Sequence, residues 1–375
     1  MVLIEFMKKL LFLFFLFLAS FNLAVANPST SSDAVPQTEE TESFNAGKLI
    51  IDHIVDSHEW HIATFGHTHL TIPLPIILID KGKLVIFSSS RFHGATESHL
   101  GYKIETASTF DKGKIVKVIP GTMQTDVAAG KPLDFSITKT VAGIFISVLL
   151  IIFLFINVAR SFKKNSGHAP KGLQSLIEPL IIFIRDEVAK PSIGAHYSRF
   201  LPFLLTLFFF IFLNNLIGLV PLFPGGTNVT GNIGVTLVLA LATLFVTNFS
   251  GNKSYWLHIF NPPGIPWWLK FPIPLFLIIE LTGVFVKPFV LMIRLFANMV
   301  AGHIIVLGFI SLIFIFGNVG AALAYTVSPL SIIFAVFIGL LELLVAFIQA
   351  YVFVLLSAIY IGMATEEHHE NVEVK

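Results

Sequence analysis

Two very long apolar stretches near the end of the chain restrict its possible folds more than any other feature. One runs from about residue 274 to 316 and the other from 329 to about 361, separated by residues 317–320 and by Ser328-Pro329. As helices they would be ~64 Å and ~50 Å long, whereas an upright membrane span needs only about 20 residues. Each stretch is therefore expected to be broken or steeply tilted. Packing against a large neighbour within the membrane would explain a tilted helical hairpin.

The composition of the whole chain also indicates a membrane protein. Only 13% of the residues are charged and 55% are hydrophobic, whereas about a quarter of an average soluble domain is charged. The net charge of +1 offers no basic surface for nucleic acid. The chain has no cysteine, which excludes disulfides and thiolate metal ligands. We therefore expect an all-α multi-spanning membrane protein that ends in two long, tilted helices.

The first 26 residues have the pattern of a signal peptide. Lys8 and Lys9 precede an apolar run, and Ala24-Val25-Ala26 fits a cleavage site between small residues. An uncleaved anchor helix is the alternative. With cleavage, the mature chain begins near Asn27, outside the cytoplasm.

Residues 27–136 are predicted to form an extracytoplasmic N-terminal region with a small β domain. A linker rich in Ser, Thr, Pro and Glu leads to about residue 45. The β-rich runs 70–78 and 83–88 flank the hairpin signal Asp80-Lys81-Gly82. Several histidines make a zinc site possible. No pattern of carboxylates or cysteines that could complete a metal site accompanies them, so packed or surface histidines are favoured and no metal is expected. They are His53, His58, His61, His67, His69, His93 and His99.

Residues 137–363 are predicted to form the membrane domain, with about five membrane segments. Three spans are expected before the two long stretches, at 141–158, about 200–220 and 231–249. The loop after the first span is rich in Lys and Arg, which marks the cytoplasmic side. Within it, the amphipathic segment 173–188 is expected to form a helix along the membrane surface. The tail, residues 364–375, is placed in the cytoplasm.

Ionisable and amide side chains occur inside both long stretches. Such groups cost several kcal/mol in an apolar span unless they face water or a partner, so a functional role is the first interpretation. Structural ion pairs or positions at the membrane interface are the alternative, above all for Glu280 and Lys287. The candidates are Glu280, Lys287, Arg294, Asn298, His303, Glu342 and Gln349.

The spacing of these residues separates two kinds of chemistry. Glu280, Lys287 and Arg294 follow one another at intervals of seven, which places them on one helix face. Arg294 and His303 are nine apart, about half a turn out of phase. Arginine stays charged and cannot relay a proton, whereas His303 and Glu342 can exchange protons. A fixed cation on one face and titratable groups on another suggest a barrier beside a proton path.

The run from Arg294 to His303, Arg-Leu-Phe-Ala-Asn-Met-Val-Ala-Gly-His, resembles the signature of subunit a of F-type ATP synthases. The resemblance covers roughly residues 140–363 and includes the last-helix motif, which runs from Glu342 through Gln349 to Phe353. Relative to some members, histidine and glutamate are exchanged at His303 and Glu342, which keeps the same chemistry if the two groups are close. Gly218 stands where some members have aspartate. The long N-terminal region is not part of the common family pattern.

The resemblance implies a non-catalytic stator subunit without a cofactor, in the inner membrane of a bacterium. A ring of c subunits would rotate against the tilted hairpin, and subunit b of the peripheral stalk would be a further partner. Protons would enter and leave through two half-channels separated by Arg294. Asn298 and Gln349 would hold Arg294 or water, and Glu280, His303 and Glu342 would line an access path.

Other functions fit the sequence less well. A standalone cation or proton secondary transporter predicts internal repeats around a substrate site, and the sequence has no convincing repeat. An anchoring or assembly protein would not need Arg294 among apolar neighbours. An enzyme within the membrane would need a nucleophile–base or metal-ligand motif, which the spans lack.

Overall fold

The computed structural model describes residue 47 and residues 55–65, 68–106, 113–119, 121–126, 128–164, 169–220, 226–260 and 275–366. The predicted signal peptide and linker lie outside the described residues, as does most of the predicted cytoplasmic tail.

Short antiparallel sheets make up the described part of the N-terminal region. Its strands are β1 (Glu59–Phe65), β2 (Thr68–Pro73), β3 (Pro75–Asp80), β4 (Lys83–Ser88), β5 (Tyr102–Ile104), β6 (Ile115–Lys117) and β7 (Leu133–Asp134). β1 pairs with β2, β3 lies between β4 and β7, and β5 pairs with β6. Lys81 and Gly82 both have positive φ, which is the geometry of a tight hairpin turn. This turn joins β3 to β4 where the sequence predicts a hairpin.

The described chain after residue 138 is helical. Its helices are α1 (Lys139–Lys164), α2 (Leu173–Phe183), α3 (Lys190–Ile193), α4 (Tyr197–Leu219), α5 (Ile233–Ser250), α6 (Lys253–Phe260), α7 (Leu275–Val319) and α8 (Ala321–Thr365). A π-helical segment, Ile184–Ala189, and a 3-10 turn, Gly194–His196, connect α2, α3 and α4.

Five helical segments in the described chain are long and apolar enough to cross a membrane. They are α1, the segment Leu173–Leu219, α5, and most of α7 and α8. Their length and composition fit a multi-pass membrane protein. Residues 173–188 are helical as predicted, and their position along a membrane surface stays a prediction.

α7 and α8 are each 45 residues long, which corresponds to about 68 Å. Gly320 alone separates them. The predicted break at Ser328-Pro329 is wrong, because α8 begins at Ala321 and passes through Pro329. A proline removes one backbone hydrogen bond, and near the start of a long apolar helix this loss does not end the helix. α7 likewise continues through Pro288.

α4 lies inside the helical part, while α7 and α8 lie at its edge. In the most apolar window of each segment, 78% of residues are buried for Leu173–Leu219, but only 17% for α7 and 11% for α8. Phe208, Phe209 and Ile211 of α4 are fully buried. They share a core with Ile151 of α1 and Phe353 of α8. Large apolar faces of α7 and α8 are therefore uncovered by the rest of the described chain.

The C-terminal end of α8 is held by two other segments. The backbone N–H of Asn252 donates to the carbonyl of Ala364 at 2.9 Å, and its side-chain amide donates to the carbonyl of Thr365 at 2.8 Å. The carbonyl of Ser192 lies so close to Gly362 that a Cβ there would collide with it. At the opposite end of the helix pair, Val319 and Tyr325 are 70% and 80% exposed. The pair is thus anchored at one end and projects at the other.

Candidate functional site

His303 of α7 and Glu342 of α8 lie side by side. Their Nδ1 and Oε1 atoms are 3.7 Å apart, and the side chains are only 9% and 15% exposed. The Nδ1 atom also lies 3.0 Å from the carbonyl of Met299, so it carries the proton in that hydrogen bond. The distance of 3.7 Å is too long for a direct hydrogen bond, and a small movement of the carboxylate would bring the two groups within reach of proton exchange. The closeness required for an exchanged histidine–glutamate pair is present.

Gly302 creates the space that Glu342 occupies. A Cβ at Gly302 would collide with Oε1 of Glu342 and would lie 2.8 Å from its Cδ and 3.0 Å from its Cγ. The role of Gly302 as a recess for a carboxylate on another helix was missed in the sequence. Its place directly before His303 is a signal that could have directed attention to it.

Gly218 of α4 lies beside His303, and Thr227 of the following loop lies beside Gly218. A Cβ at Gly218 would lie 3.9 Å from Nε2 of His303 and 3.3 Å from the carbonyl of Thr227. The hydroxyl of Thr227 and the side-chain nitrogen of Asn228 are buried and have no hydrogen-bond partner among the described residues. Because buried polar groups are nearly always hydrogen-bonded, such atoms mark a place suited to bound water. We call His303, Glu342, Gly218, Thr227 and Asn228 the His303 cluster.

Asn298 and Gln349 join α7 to α8 between His303 and Arg294. The side-chain nitrogen of Asn298 donates to Oε1 of Gln349 at 2.7 Å. Gln349 is buried, with 3% exposure, whereas Asn298 is exposed. The two side-chain amides are therefore hydrogen-bonded to each other. Their predicted hydrogen bonds to Arg294 or to water stay a prediction.

Arg294 lies on an exposed face of α7, whereas His303 is buried. This is the difference in surroundings that their spacing predicts. In the part of the chain that the structure describes, Arg294 has no hydrogen bond or ion pair. Its neighbours Leu291 and Leu295 are buried in the helical core. The guanidinium group is thus presented beside apolar surface, free for a partner from outside this chain.

A second polar group lies on the other side of Arg294 along α7. Nζ of Lys287 lies over the ring of Tyr360 at 5.5 Å, and Oε1 of Glu280 lies 3.9 Å from Nδ1 of His258. Lys287 and Tyr360 also line a recess together with Tyr255, Asn248, Thr243 and Thr247. We call Glu280, His258, Lys287 and Tyr360 the Lys287 cluster. Sequence reasoning missed His258 and Tyr360, because both reach the cluster only through contacts between distant helices.

Along α7, Arg294 is separated from Lys287 and from His303 by more than the length of a side chain. Seven residues of α7 between Lys287 and Arg294 correspond to about 10 Å, and nine between Arg294 and His303 to about 13 Å. The structure thus brings together His303 with Glu342 and Asn298 with Gln349. It does not bring Glu280 or Lys287 to His303.

The described histidines of the N-terminal region pair separately. His58 lies 3.4 Å from Asp134, and His93 lies 3.7 Å from Glu97 on the surface. Burial raises the pKa of Asp134, but the hydrogen bond and charge of His58, together with hydrogen bonds from Ser136, outweigh it and leave this pKa below its usual range. No three His, Asp or Glu side chains that the structure describes are grouped as metal ligands. His53 and His67, and the side chains of His61 and His69, lie outside the described part.

A buried polar group stabilises the N-terminal sheets. Asp80 accepts hydrogen bonds from Nζ of Lys117 at 2.7 Å and from the hydroxyl of Tyr102 at 2.9 Å. Burial, and then the hydrogen bond to Asp80, raise the pKa of Tyr102 to about 12. The hydrogen bond from Lys117 holds the pKa of Asp80 below its usual value.

Comparison with known proteins divides the chain into two matched parts. Residues 141–362 match the family described as ATP synthase A chain, and residues 49–135 match a domain of unknown function, DUF8433. ATP synthase subunit a of Chloroherpeton thalassium is 43% identical over 244 residues, covering 63% of this chain and 69% of the relative. ATP synthase subunit a 2 of Chlorobaculum tepidum is 46% identical over 250 residues, covering 64% and 67%.

A more divergent relative gives the same result. ATP synthase subunit a of Myxococcus xanthus is 41% identical over 249 residues, covering 64% of this chain and 77% of the relative. The matched residues contain Arg294, both polar clusters and the α7–α8 pair, so they include the whole candidate site. The predicted membership is confirmed: this chain belongs to the family of subunit a of F-type ATP synthases, a non-catalytic subunit of that complex.

Proposed function

We propose that this chain is the proton-conducting stator subunit of the membrane sector of an ATP synthase. In this proposal, Arg294 separates two half-channels, and proton flow through them drives rotation coupled to ATP synthesis. The observation that carries the proposal is the position of Arg294, exposed and without a partner in the described chain, between the His303 cluster and the Lys287 cluster.

The two clusters lie toward opposite sides of the membrane. If the N-terminal region is extracytoplasmic, α1 begins outside at Lys139 and ends inside at Lys164. Gly143, near the outer end of α1, packs directly on Thr227 of the His303 cluster. The Lys287 cluster instead contacts α6 and the end of α8, where the chain is expected to leave toward the cytoplasm. The His303 cluster is therefore assigned to the outer half-channel and the Lys287 cluster to the inner one.

The uncovered faces of α7 and α8 provide the surface for a rotating partner. A ring of c subunits, each with one carboxylate in mid-membrane, would place that carboxylate opposite Arg294. The guanidinium group stabilises the deprotonated carboxylate as it passes and repels a proton that would cross directly between the half-channels. The membrane potential supplies about 2.3 kcal/mol per charge for each 100 mV. Subunit b of the peripheral stalk is proposed as a further partner.

His303 and Glu342 are proposed to pass protons within the outer half-channel. Their separation of 3.7 Å fits a small rotation of the carboxylate that would bring the two groups into direct contact. Asn298 and Gln349 then fix the distance between α7 and α8 next to this step, through their hydrogen bond of 2.7 Å. Glu280 and Lys287 are proposed to line the inner path.

The proposed arrangement of the chain follows the matched parts. Residues 1–26 are a signal peptide, 27–136 an extracytoplasmic region, 137–363 the membrane domain and 364–375 a cytoplasmic tail, in the inner membrane of a bacterium. The family matches to residues 49–135 and 141–362 support a boundary near residue 137.

Proton pumping by an Arg294→Ala variant tests the proposal. ATP-driven acidification of membrane vesicles would be measured, with the passive proton leak recorded in parallel. Pumping is expected to be lost while the complex still assembles. Arg160→Ala, which removes an exposed arginine near the end of α1, is the matched control and should pump normally. Near-normal pumping by Arg294→Ala would refute the stator assignment and favour a standalone secondary transporter.

A further inference from the structure

The N-terminal region is joined directly to the first turn of α1. The carbonyl of Ser57 accepts a hydrogen bond from the backbone N–H of Lys139 at 2.8 Å. Oδ1 of Asp56 accepts from the backbone N–H of Thr140 at 3.0 Å. The first N–H groups of a helix lack partners within the helix, and a carboxylate at this end is favoured by the helix dipole. A segment before β1 thus caps a helix that begins more than 80 residues later.

The strand that leads into α1 makes this junction rigid. The N–H of Phe135 donates to the carbonyl of Ile77 at 2.8 Å, and the N–H of Ile137 donates to that of Pro75 at 3.0 Å. The chain therefore stays bonded to β3 until two residues before α1 begins. No flexible linker separates the sheets from the helix at this point.

Lys139 connects the junction to the His303 cluster. Its half-buried side chain is close enough to interact electrostatically with both Asp56 and His303. Lys139 lies one helical turn before Gly143 on the same face of α1. A Cβ at Gly143 would lie 2.8 Å from the hydroxyl of Thr227. The outer end of α1, Thr227 and His303 are therefore neighbours, and the Thr227 hydroxyl is buried without a partner among the described residues.

We propose that Asp56 and Lys139 form a charge-balanced pair at the outer mouth of the proton path, and that the N-terminal region thereby controls proton access. An ammonium group alone at this mouth would repel incoming protons. The carboxylate of Asp56 cancels that field while it also caps α1. The inference rests on the proposed function, since it assigns an additional residue pair to the same path.

Other charged groups near the junction do not replace this pair. On the N-terminal side, His58 and Asp134 contact each other at 3.4 Å. On the membrane side, the titratable groups are His303 and its neighbour Glu342. Asp56 is thus the carboxylate that the structure places against the first turn of α1.

Asp56→Asn tests the proposal because it removes the charge and keeps Oδ1 as an acceptor for Thr140. The whole complex would be reconstituted in liposomes with the N-terminal region facing outward. The initial rate of ATP synthesis after a drop in outer pH would then report proton uptake from that side. At low salt, Asp56→Asn is expected to slow synthesis about threefold to tenfold. About 1 M salt outside should remove most of this difference, because the Debye length falls to about 3 Å.

A second charge change should reverse the first. Lys139→Gln alone is expected to synthesise ATP at or above the wild-type rate, and Asp56→Asn combined with Lys139→Gln should return to that rate. Glu97→Gln removes a carboxylate from the surface of the same region, where Glu97 is 63% exposed, and should behave like the wild type. If the Asp56→Asn complex does not assemble, the Lys139→Gln complex tests the proposal instead. A rate of ATP synthesis below the wild-type rate in that complex would overturn the proposal.

Several results would overturn the charge-balanced pair. One is an Asp56→Asn complex that makes ATP at the wild-type rate at low salt. Another is a slow Asp56→Asn complex that Lys139→Gln does not restore, which would leave Asp56 with a structural role only. A failure of the proposed function looks different, since the wild-type complex would then take up no protons or Arg294→Ala would leave its ATP synthesis intact.

Discussion

Replacing Gly302 with alanine should separate His303 from Glu342 without unfolding the helix. The new methyl group would collide with the carboxylate of Glu342 and would lie only 2.8 Å from its Cδ. Ordinary carbon contacts need about 3.5–4.0 Å, so the carboxyl group must move by about 1 Å. Alanine is the better helix former by about 1 kcal/mol, and α7 itself should not be weakened.

The expected loss follows from the present separation of 3.7 Å between His303 and Glu342. Moving the carboxylate away by about 1 Å takes it further from the contact of about 2.6–3.2 Å that direct proton transfer needs. A misplacement of about 1 Å at reacting groups can cost about a hundredfold in rate, which corresponds to about 2.7 kcal/mol of barrier. We therefore expect the proton-pumping rate of Gly302→Ala to fall between about tenfold and a hundredfold.

The assay is ATP-driven proton pumping in vesicles that contain equal amounts of assembled complex. Gly308→Ala is the matched control, because a Cβ at Gly308 would meet no other atom within 4 Å, and it should pump normally. Adding Glu342→Asp to Gly302→Ala shortens the acidic side chain and should restore part of the rate. Wild-type pumping by Gly302→Ala would show that the close approach of the two helices at this glycine has no part in proton transfer.

Three further predictions use other contacts of the structure. Gln349→Leu removes the hydrogen bond to Asn298 and should lower the stability of the detergent-solubilised complex by about 1 kcal/mol, measured by heat denaturation; an unchanged midpoint would contradict this. A Cβ at Gly218 would lie 3.3 Å from the Thr227 carbonyl, so Gly218→Val should crowd this place and reduce proton pumping by vesicles about tenfold. Normal pumping by this variant would contradict the prediction. The pKa of Tyr102 is about 12 when folded but about 10 when unfolded, so about 2.7 kcal/mol of stability that is present below pH ~10 is lost as the pH rises to ~12. Tyr102→Phe should flatten this alkaline decline, measured as resistance to protease.

Local sequence signals identified most of the helices. The predicted span 231–249 is close to α5, and the span 141–158 lies within α1. These predictions succeeded because a membrane span needs a run of apolar residues whose length the membrane sets. Ser328-Pro329 misled because proline was interpreted as a boundary, although a proline inside a helix can bend the helix without ending it, and α8 passes through Pro329 as α7 passes through Pro288.

The candidate site was only partly accessible from the sequence. Helical spacing separated Arg294 from His303, because both lie on one helix and a helix has a fixed period. The contact of Glu342 with Gly302 and the stacking of Lys287 on Tyr360 depend on the register between two antiparallel helices. No local pattern sets that register, which is fixed by packing along the whole length of both helices. The capping of α1 by Asp56 is even less local, since a complete sheet region lies between the two residues.

The fixed end of α8 has a mechanical consequence. A beam clamped at one end deflects least near the clamp and most at its free tip. Asn252 and Ser192 hold the end of α8, while the turn at Gly320 projects from the opposite end. Arg294 lies about 28 Å along α7 from the clamped end, less than half of its length. A sideways load from the proposed ring of c subunits would therefore displace the turn much more than the guanidinium group, and the gap between Arg294 and that ring would stay nearly constant under torque.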